Sequence, residues 1–201
     1  INGLDQTVAS TFSAQGSTVF TVSKRPLVIT SREELIKFNK RKDVTKDDLE
    51  AIQRLCPLCW RIGYAVNGRA TVKGGDSSSD NVAVQGVTLS MFDINAYTVE
   101  AGRFWTPEEG NAGQNVAVIG SDILKNVFND IAPEKAIGQR IRVNGSEFRI
   151  VGTITPMGSI LGASRDNFVM FPVPAGERMF GSRDSLVINI QVQNSSLFED
   201  A

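Results

Sequence analysis

The feature that most constrains this fold is an Asn144-Gly145 pair lying between two segments in which apolar and polar residues alternate. Asn-Gly tolerates the positive φ angles of a type I′ hairpin turn, so the pair predicts a β-hairpin. Pairing the strands outward from this turn gathers four apolar side chains on one face. A shift of one residue would move all four to the other face, so the turn and the apolar pattern independently predict one register. The four residues are Ile141, Val143, Phe148 and Ile150.

The opposite face of the predicted hairpin is charged. The same register places Arg142 opposite Glu147, an attractive pair worth about 0.2 to 1 kcal/mol. It also places Arg140 opposite Arg149, and this repulsive pair requires solvent to screen it. We therefore expect this face to be in contact with water.

Other segments predict a mixture of short helices and strands. Residues 116–119 form an apolar run that predicts a strand, and Ser121 follows as the predicted N-cap of a helix. Asn67-Gly68 predicts a second hairpin turn, and residues 186–193 alternate as a half-buried strand does. Short helices and several hairpins together predict an α+β fold class rather than a doubly wound parallel sheet.

Composition and motifs exclude several classes of function. The 201 residues contain 21 Lys and Arg against 22 Asp and Glu, so a formal charge of -1 provides no basic field for nucleic acid. The chain has no histidine, which excludes Ser-His-Asp and Cys-His catalysis and HExxH zinc sites. It also lacks GxGxxG and the Walker phosphate loop, so we expect no nucleotide cofactor.

The chain opens at Ile1 without an initiator Met or a signal segment, and no apolar run approaches the roughly 18 residues of a membrane span. We expect a fragment of a longer protein.

Cys56-Pro57-Leu58-Cys59 has the spacing of a dithiol redox motif. Such a motif places its nucleophilic sulfur at a helix N-terminus, where the helix dipole lowers the thiol pKa. Here the motif follows a predicted helix, so the dipole has the opposite sign, and no second pair of ligands completes a metal site. We expect Cys56 and Cys59 to be structural, either as buried thiols or as a local disulfide.

Two pairs of adjacent carboxylates, Glu108-Glu109 and Asp47-Asp48, could suggest glycosidase chemistry. Neighbours in sequence point apart, however, and each pair follows a threonine at capping-box spacing, so we interpret both as helix starts. We predict no catalytic, cofactor-binding or metal-binding residue. Three aromatic residues are predicted to pack in the core, with contact to a partner as the alternative, and they are Trp60, Phe104 and Trp105.

Gly158-Ser159-Ile160-Leu161-Gly162 is the segment with the strongest prediction of a binding role. Two aliphatic residues held between glycines are poorly placed for a packed core. We predict that Gly158, Ser159, Ile160, Leu161 and Gly162 form an exposed partner-contact loop, with burial in the core as the alternative.

Four stretches occur in an order and spacing that resemble the extracytoplasmic core domain of MacB-type ABC transporter permeases. The resemblance covers most of residues 16–193. It implies a two-lobed α+β domain in which residues 1–90 and 168–201 form a porter-like lobe of βαβ units. Residues 91–167 form an inserted, mostly β sabre-like lobe. The stretches are QGVTLSMFDINAYTVEAGRFW, NVAVIGSDILKNVF, AIGQRIRVNGSEFRIVGTI and NFVMFPVP.

The resemblance also implies a function. In such permeases, ATP hydrolysis in the cytoplasm moves the membrane helices, and two copies of this periplasmic domain open and close to act on a substrate. It therefore implies a non-enzymatic periplasmic domain of an inner-membrane protein. The implied partners are a second permease copy in a homo- or heterodimer, a cytoplasmic ATP-binding subunit or domain, and a periplasmic adaptor or lipoprotein. The alternative is a free-standing periplasmic binding or adaptor module.

Overall fold

The computed structural model describes residues 18–24, 31–160, 162–181 and 185–194. Strands predominate over helices, and the helices are short. The predicted α+β class is confirmed.

In chain order, the elements are β1 (Val19–Val22), α1 (Arg32–Asn39), α2 (Lys46–Leu55), β2 (Cys59–Gly74), β3 (Ser77–Val87), α3 (Ser90–Ile94), β4 (Val99–Gly102), α4 (Pro107–Asn111), β5 (Val116–Ile119), α5 (Ser121–Phe128), α6 (Pro133–Ala136), β6 (Arg140–Val143), β7 (Ser146–Ile154), β8 (Ser159–Ile160), β9 (Ala163–Ser164), β10 (Phe168–Pro172), α7 (Val173–Phe180) and β11 (Val187–Val192).

The main sheet has the strand order β1-β11-β2-β3-β10-β5-β7-β4, and β6 pairs with both β2 and β7. Because β6 connects these two strands, the pairings close a ring that runs β2-β3-β10-β5-β7-β6 and back to β2. The β3–β10 and β5–β7 pairs are parallel, and the other four pairs of the ring are antiparallel. The ring is therefore a small, closed mixed barrel.

The core of this ring combines side chains from strands far apart in the sequence. Val72 and Val84, from β2 and β3, belong to the same buried cluster as Ile141 and Phe148, from β6 and β7. Phe148 stacks on Phe171 of β10 with ring centroids 4.8 Å apart. Helices α5, α6 and α7 add buried residues to this cluster. Strands from both proposed lobes thus share one core, and the lobe boundaries at residues 90 and 168 stay a prediction.

The hairpin at Asn144-Gly145 forms with the predicted register. Both turn residues have positive φ, 47° and 85°. Ile141 pairs with Phe148, Arg142 with Glu147 and Arg140 with Arg149, and the four apolar residues of the inner face are buried. The charged face is exposed, as expected.

The turn predicted at Asn67-Gly68 is wrong. Both residues lie inside β2, paired with residues 85 and 84 of β3, and the chain turns instead at Gly75-Asp76. Gly75 has a φ of +56° and supplies the left-handed conformation. Gly68 is required for packing, because a Cβ there would lie 2.5 Å from the Phe180 ring. Packing against the Phe180 ring, and not a turn, therefore explains the glycine of this Asn-Gly pair.

The cap predicted at Ser121 is displaced by one residue. Gly120 is the N-cap of α5, and Ser121 is its first helical residue, with a buried hydroxyl that has no hydrogen-bond partner among the residues that the structure describes. The Gly120 amide donates to the Phe168 carbonyl at 3.1 Å, and a Cβ at Gly120 would collide with the Asp166 carbonyl oxygen. Close approach of β10 therefore decides which residue caps the helix.

Both predicted capping boxes form, at Thr45 with Asp48 and at Thr106 with Glu109. The alternating strand at residues 186–193 is also confirmed as β11, whose Ile188 and Ile190 are buried. Among the described helices, none has the length and apolar character needed to cross a membrane.

Candidate functional site

The predicted partner-contact loop forms a small hairpin that stands apart from the main sheet. Strands β8 and β9 pair with each other, Ser159 opposite Ser164 and Ile160 opposite Ala163. Gly158 and Gly162 flank β8 with φ angles of +78° and +81°, which favour glycine. The Ile160 side chain is 57% exposed. Leu161 lies outside the described residues. The four described residues of the predicted loop are therefore together, and Ile160 is presented to solvent.

Asp166 holds the base of this hairpin. It is only 5% exposed, and its two carboxylate oxygens accept hydrogen bonds from the amides of Met157 at 2.8 Å and Gly158 at 2.9 Å. The Arg165 amide donates to the Gly158 carbonyl at 3.0 Å, which closes the base from the other strand. Hydrogen bonds to an ionised carboxylate are stronger than those between neutral groups. Both ends of the hairpin are thus fixed close to one buried side chain.

The hairpin is also attached to the start of α5. The Ser164 hydroxyl donates to Asp122 Oδ2, and the same hydroxyl accepts from the Asp166 amide at 3.1 Å. The Asp122 amide donates to the Asp166 carbonyl at 3.3 Å. We call Asp122, Ser164 and Asp166 the hairpin anchor. It leaves Ile160 exposed on a base with fixed geometry, which suits contact with another molecule.

Sequence reasoning identified the glycine-bounded loop but missed the anchor. Asp166 lies between the loop and an apolar strand, in Ser164-Arg165-Asp166-Asn167. An aspartate next to a glycine-rich turn often accepts from nearby backbone amides, and that signal was available. Its partner Asp122 is 44 residues away in the sequence, and no local pattern connects the two.

Cys56 and Cys59 are joined by a disulfide, one of the two alternatives expected from the sequence. Cys56 is the C-cap of α2, and Cys59 is the first residue of β2, so the bond connects the end of a helix to the start of a strand. The motif follows the helix, as predicted, which puts it at the negative end of the helix dipole.

Residues beside the disulfide are exposed. Leu55 is 71% exposed and Trp60 is 51% exposed, with the Arg61 guanidinium 3.6 Å from the Trp60 ring centroid. The predicted burial of Trp60 is therefore wrong, since the residue is half exposed at the start of β2. Trp105 is buried, as predicted, and Phe104 stacks on Phe92 with centroids 3.9 Å apart.

The Glu109 carboxylate has a structural role. It accepts from the Thr106 amide at 2.8 Å and pairs with Arg103 through two hydrogen bonds of 2.7 and 2.9 Å. Arg149 approaches it at 3.9 Å. The Arg103 hydrogen bond is the main cause that lowers the pKa of Glu109 to about 2. A carboxyl that stays ionised and bonded in this way is unsuited to act as a general acid.

Among the described residues, no group of three or more Cys, Asp or Glu side chains is close enough together to hold a metal ion. The most prominent candidate for function in this part of the chain is therefore a contact surface, the β8–β9 hairpin.

The family model and the similar proteins of known sequence agree on one family. The family described as MacB-like periplasmic core domain matches residues 1–201. The macrolide export ATP-binding/permease protein MacB of Bdellovibrio bacteriovorus is 30% identical over 154 residues, which cover 76% of this chain and 23% of that protein. The pyoverdine export ATP-binding/permease protein PvdT of Pseudomonas aeruginosa is 29% identical over 143 residues, covering 70% and 21%. The chain thus spans less than a quarter of the length of these two relatives.

Solved structures with low sequence identity share the fold. The periplasmic region of MacB from Actinobacillus actinomycetemcomitans superposes with a TM-score of 0.72 at 15% identity, covering 96% of this chain and 84% of that one. The extracellular domain of the transporter YknZ from Gram-positive bacteria gives 0.67 at 16% identity, covering 91% and 86%. Both solved structures therefore have the same fold as this chain.

Proposed function

Because this chain belongs to the MacB-like periplasmic core domain family, and is thus a periplasmic domain, we propose that it couples ATP-driven movement of membrane helices to the handling of a substrate or partner outside the cytoplasm. The ATP is hydrolysed by a cytoplasmic subunit or domain, and the periplasmic domain works as a pair with a second permease copy. The domain itself is non-enzymatic and transmits motion.

The observation that supports this proposal most strongly is the family match over all 201 residues. The position of the strands that begin and end the described chain fits it. The Val192 amide donates to the Thr18 carbonyl at 2.9 Å, so β1 starts where β11 ends. A domain inserted between membrane helices must receive and return the chain at the same end, because both flanking segments lead to the membrane. Displacement of those segments would then act directly on two adjacent strands.

The β8–β9 hairpin is proposed as the surface that contacts the periplasmic substrate, adaptor or lipoprotein. Strand β2 measures its distance from Thr18 and Val192. Val192 pairs with Cys59 at the start of β2. Phe168, which follows the hairpin, pairs with Ala83 of β3, and Ala83 pairs with Arg69 of β2. Cys59 and Arg69 are ten residues apart on β2, about 33 Å for an extended strand. A hairpin at this distance from the chain's entry and exit is available to a molecule approaching from the periplasm.

The two proposed lobes would have different roles in this motion. Residues 1–90 and 168–201 would form the lobe that receives the displacement, and residues 91–167 would form the inserted lobe from which β7 leads into the hairpin.

The absence of histidine from the sequence removes the commonest general base, and the paired, ionised Glu109 is similarly unsuited to catalysis.

The proposal is tested in the full-length parent protein with Ile160→Asp. A charge at the exposed hairpin end should reduce export or partner binding strongly, while the melting temperature of the domain changes by less than about 1 °C, because exposed substitutions have small effects on stability. ATP hydrolysis by the parent should persist. Ser159→Ala, in the same hairpin, is the matched control and should retain transport.

A loss of several degrees in melting temperature would show that Ile160 belongs to the core and would refute the contact role.

A free-standing periplasmic binding or adaptor module is the second candidate function, and the parent gene distinguishes it from the permease domain. One membrane helix before this domain and three after it support the permease, whereas a signal peptide without further membrane spans supports the module.

A further inference from the structure

The outer face of the barrel contains like charges placed directly opposite each other. Lys73 of β2 pairs with Arg142 of β6 across the strands that close the ring. On the other side of β6, Arg140 pairs with Arg149 of β7. Like charges directly opposite each other on a sheet destabilise it, and here two such pairs share one short strand. Carboxylates within 4.0 Å accompany three of these four cations, because Glu147 contacts Arg140 and Arg142 and Glu109 contacts Arg149.

The acidic residues nearby neutralise this face only in part. Glu147 is shared, with Arg140 Nη1 at 2.6 Å and Arg142 Nε at 3.9 Å from its carboxylate. Asp80 accepts a hydrogen bond from the Thr71 hydroxyl at 2.7 Å. Within the described residues, no carboxylate oxygen lies within 4.0 Å of Lys73 Nζ. Lys73 and Arg142 thus place two positive charges beside a single carboxylate, that of Asp80.

These residues border a cleft between the β2–β3 and β6–β7 hairpins. The cleft is an open depression in the surface with a volume of about 650 Å³, which leaves a bound small ion in partial contact with water. Hydroxyl and amide groups lie beside the two cations, and such groups donate to oxyanions as readily as to water. The lining residues are Thr71, Lys73, Ser78, Asp80, Arg142, Asn144 and Gly145.

We propose that this β2–β6 cleft binds a small oxyanion, with Lys73 and Arg142 as its charged ligands and the Ser78 hydroxyl and Asn144 amide as further donors. A phosphate or carboxylate group placed between the two cations would convert their repulsion into two attractive contacts. Arginine recognises such groups through its planar fork of donors, and lysine contributes a point charge. The inference rests on strand register and charge alone and is independent of the proposed transport role.

The test is a titration of the 201-residue chain followed by NMR and by thermal unfolding. Inorganic phosphate and acetate are added separately at constant ionic strength, with NaCl as the reference. Phosphate should shift the amide signals of residues lining the cleft and raise the melting temperature more than NaCl does. Arg142→Gln and Lys73→Gln should each weaken binding about tenfold, whereas Lys37→Gln, an exposed lysine on α1, should leave binding unchanged.

A second readout separates a site from ordinary surface charge. Without ligand and at low ionic strength, Lys73→Gln should raise the melting temperature slightly, by about 1 °C, because it removes a repulsive pair. A response to phosphate alone assigns the cleft to phosphoryl groups, and a response to both anions assigns it to oxyanions in general. The proposal is overturned if neither anion exceeds NaCl, if Lys37→Gln weakens binding as much as Arg142→Gln, or if Lys73→Gln destabilises the free chain.

Discussion

Glu109 offers the clearest prediction at the level of single residues. Its carboxylate caps α4 and pairs with Arg103, so Glu109→Gln removes a charged acceptor from both contacts. We expect the free energy of unfolding at pH 7 to fall by up to about 1 kcal/mol, because Gln can still accept from the Thr106 amide and only the partly exposed ion pair with Arg103 is lost. Urea unfolding of the variant and of the original chain measures the difference.

The pH dependence of that difference follows from the lowered pKa of Glu109. A carboxyl whose pKa falls from 4.5 to about 2 on folding stabilises the folded chain fully above pH 4.5. The contribution decreases as the pH falls from 4.5 and is lost below about 2. The gap between the two proteins should therefore narrow from pH 5 to pH 3. Glu134→Gln, in the first turn of α6, is the control, and a gap that stays constant with pH would contradict the role of the charge.

Single residues also show how far sequence reasoning reaches. Two Asn-Gly pairs give the same local signal, yet only Asn144-Gly145 forms a turn. At Asn144 the flanking apolar pattern agrees with the turn chemistry, and the register follows from both. Gly68 lacks that agreement, because its requirement comes from the Phe180 ring, 112 residues away in the sequence. Local patterns therefore predict a residue's conformation only where tertiary packing makes no other demand on it.

At the level of elements, the β8–β9 hairpin depends on Asp166. Asp166→Ala removes the acceptor for the Met157 and Gly158 amides and frees the base of the hairpin. We expect hydrogen exchange of these two amides to accelerate about 10- to 100-fold, because each bond to a carboxylate contributes about 1.5 to 3 kcal/mol. Hydrogen exchange followed by NMR gives the rates residue by residue.

Two comparisons distinguish an anchor from a general stabiliser. Asp166→Asn keeps one acceptor oxygen and should give an intermediate rate at the same two amides. Amides in β5 and β7 should exchange as before in both variants, since the hairpin pairs with neither strand. Unchanged exchange at Met157 and Gly158 together with faster exchange throughout the sheet would show that Asp166 stabilises the core instead.

The elements themselves were largely predictable, and their assembly was not. Capping boxes at Thr45 and Thr106 and the alternation along β11 are local signals, and each formed as predicted. The hairpin anchor brings together Asp122 and Asp166 from separate elements. The pairing of β6 with β2 likewise joins residues about 70 positions apart. Contacts of that kind depend on the path of the whole chain, which no window of sequence contains.

At the scale of the whole molecule, the closed ring of six strands decides how the chain unfolds. Strands β2, β3 and β10 belong to the proposed porter-like lobe, and β5, β6 and β7 belong to the inserted lobe. All six contribute to one buried cluster. A core divided between the two proposed lobes in this way couples their stabilities through packed side chains rather than through a flexible linker.

We therefore expect one cooperative unfolding transition for both proposed lobes. Val84→Ala, on β3, and Ile141→Ala, on β6, each remove a fully buried side chain from the shared cluster. Each should lower the melting temperature of the single transition by about 4 to 16 °C, because such truncations cost about 2 to 4 kcal/mol and a chain of this size loses about 2 to 4 °C per kcal/mol. Calorimetric and van't Hoff enthalpies should agree in both variants. Two separate transitions, with each substitution moving only one of them, would show that the lobes fold independently and that the ring does not couple them.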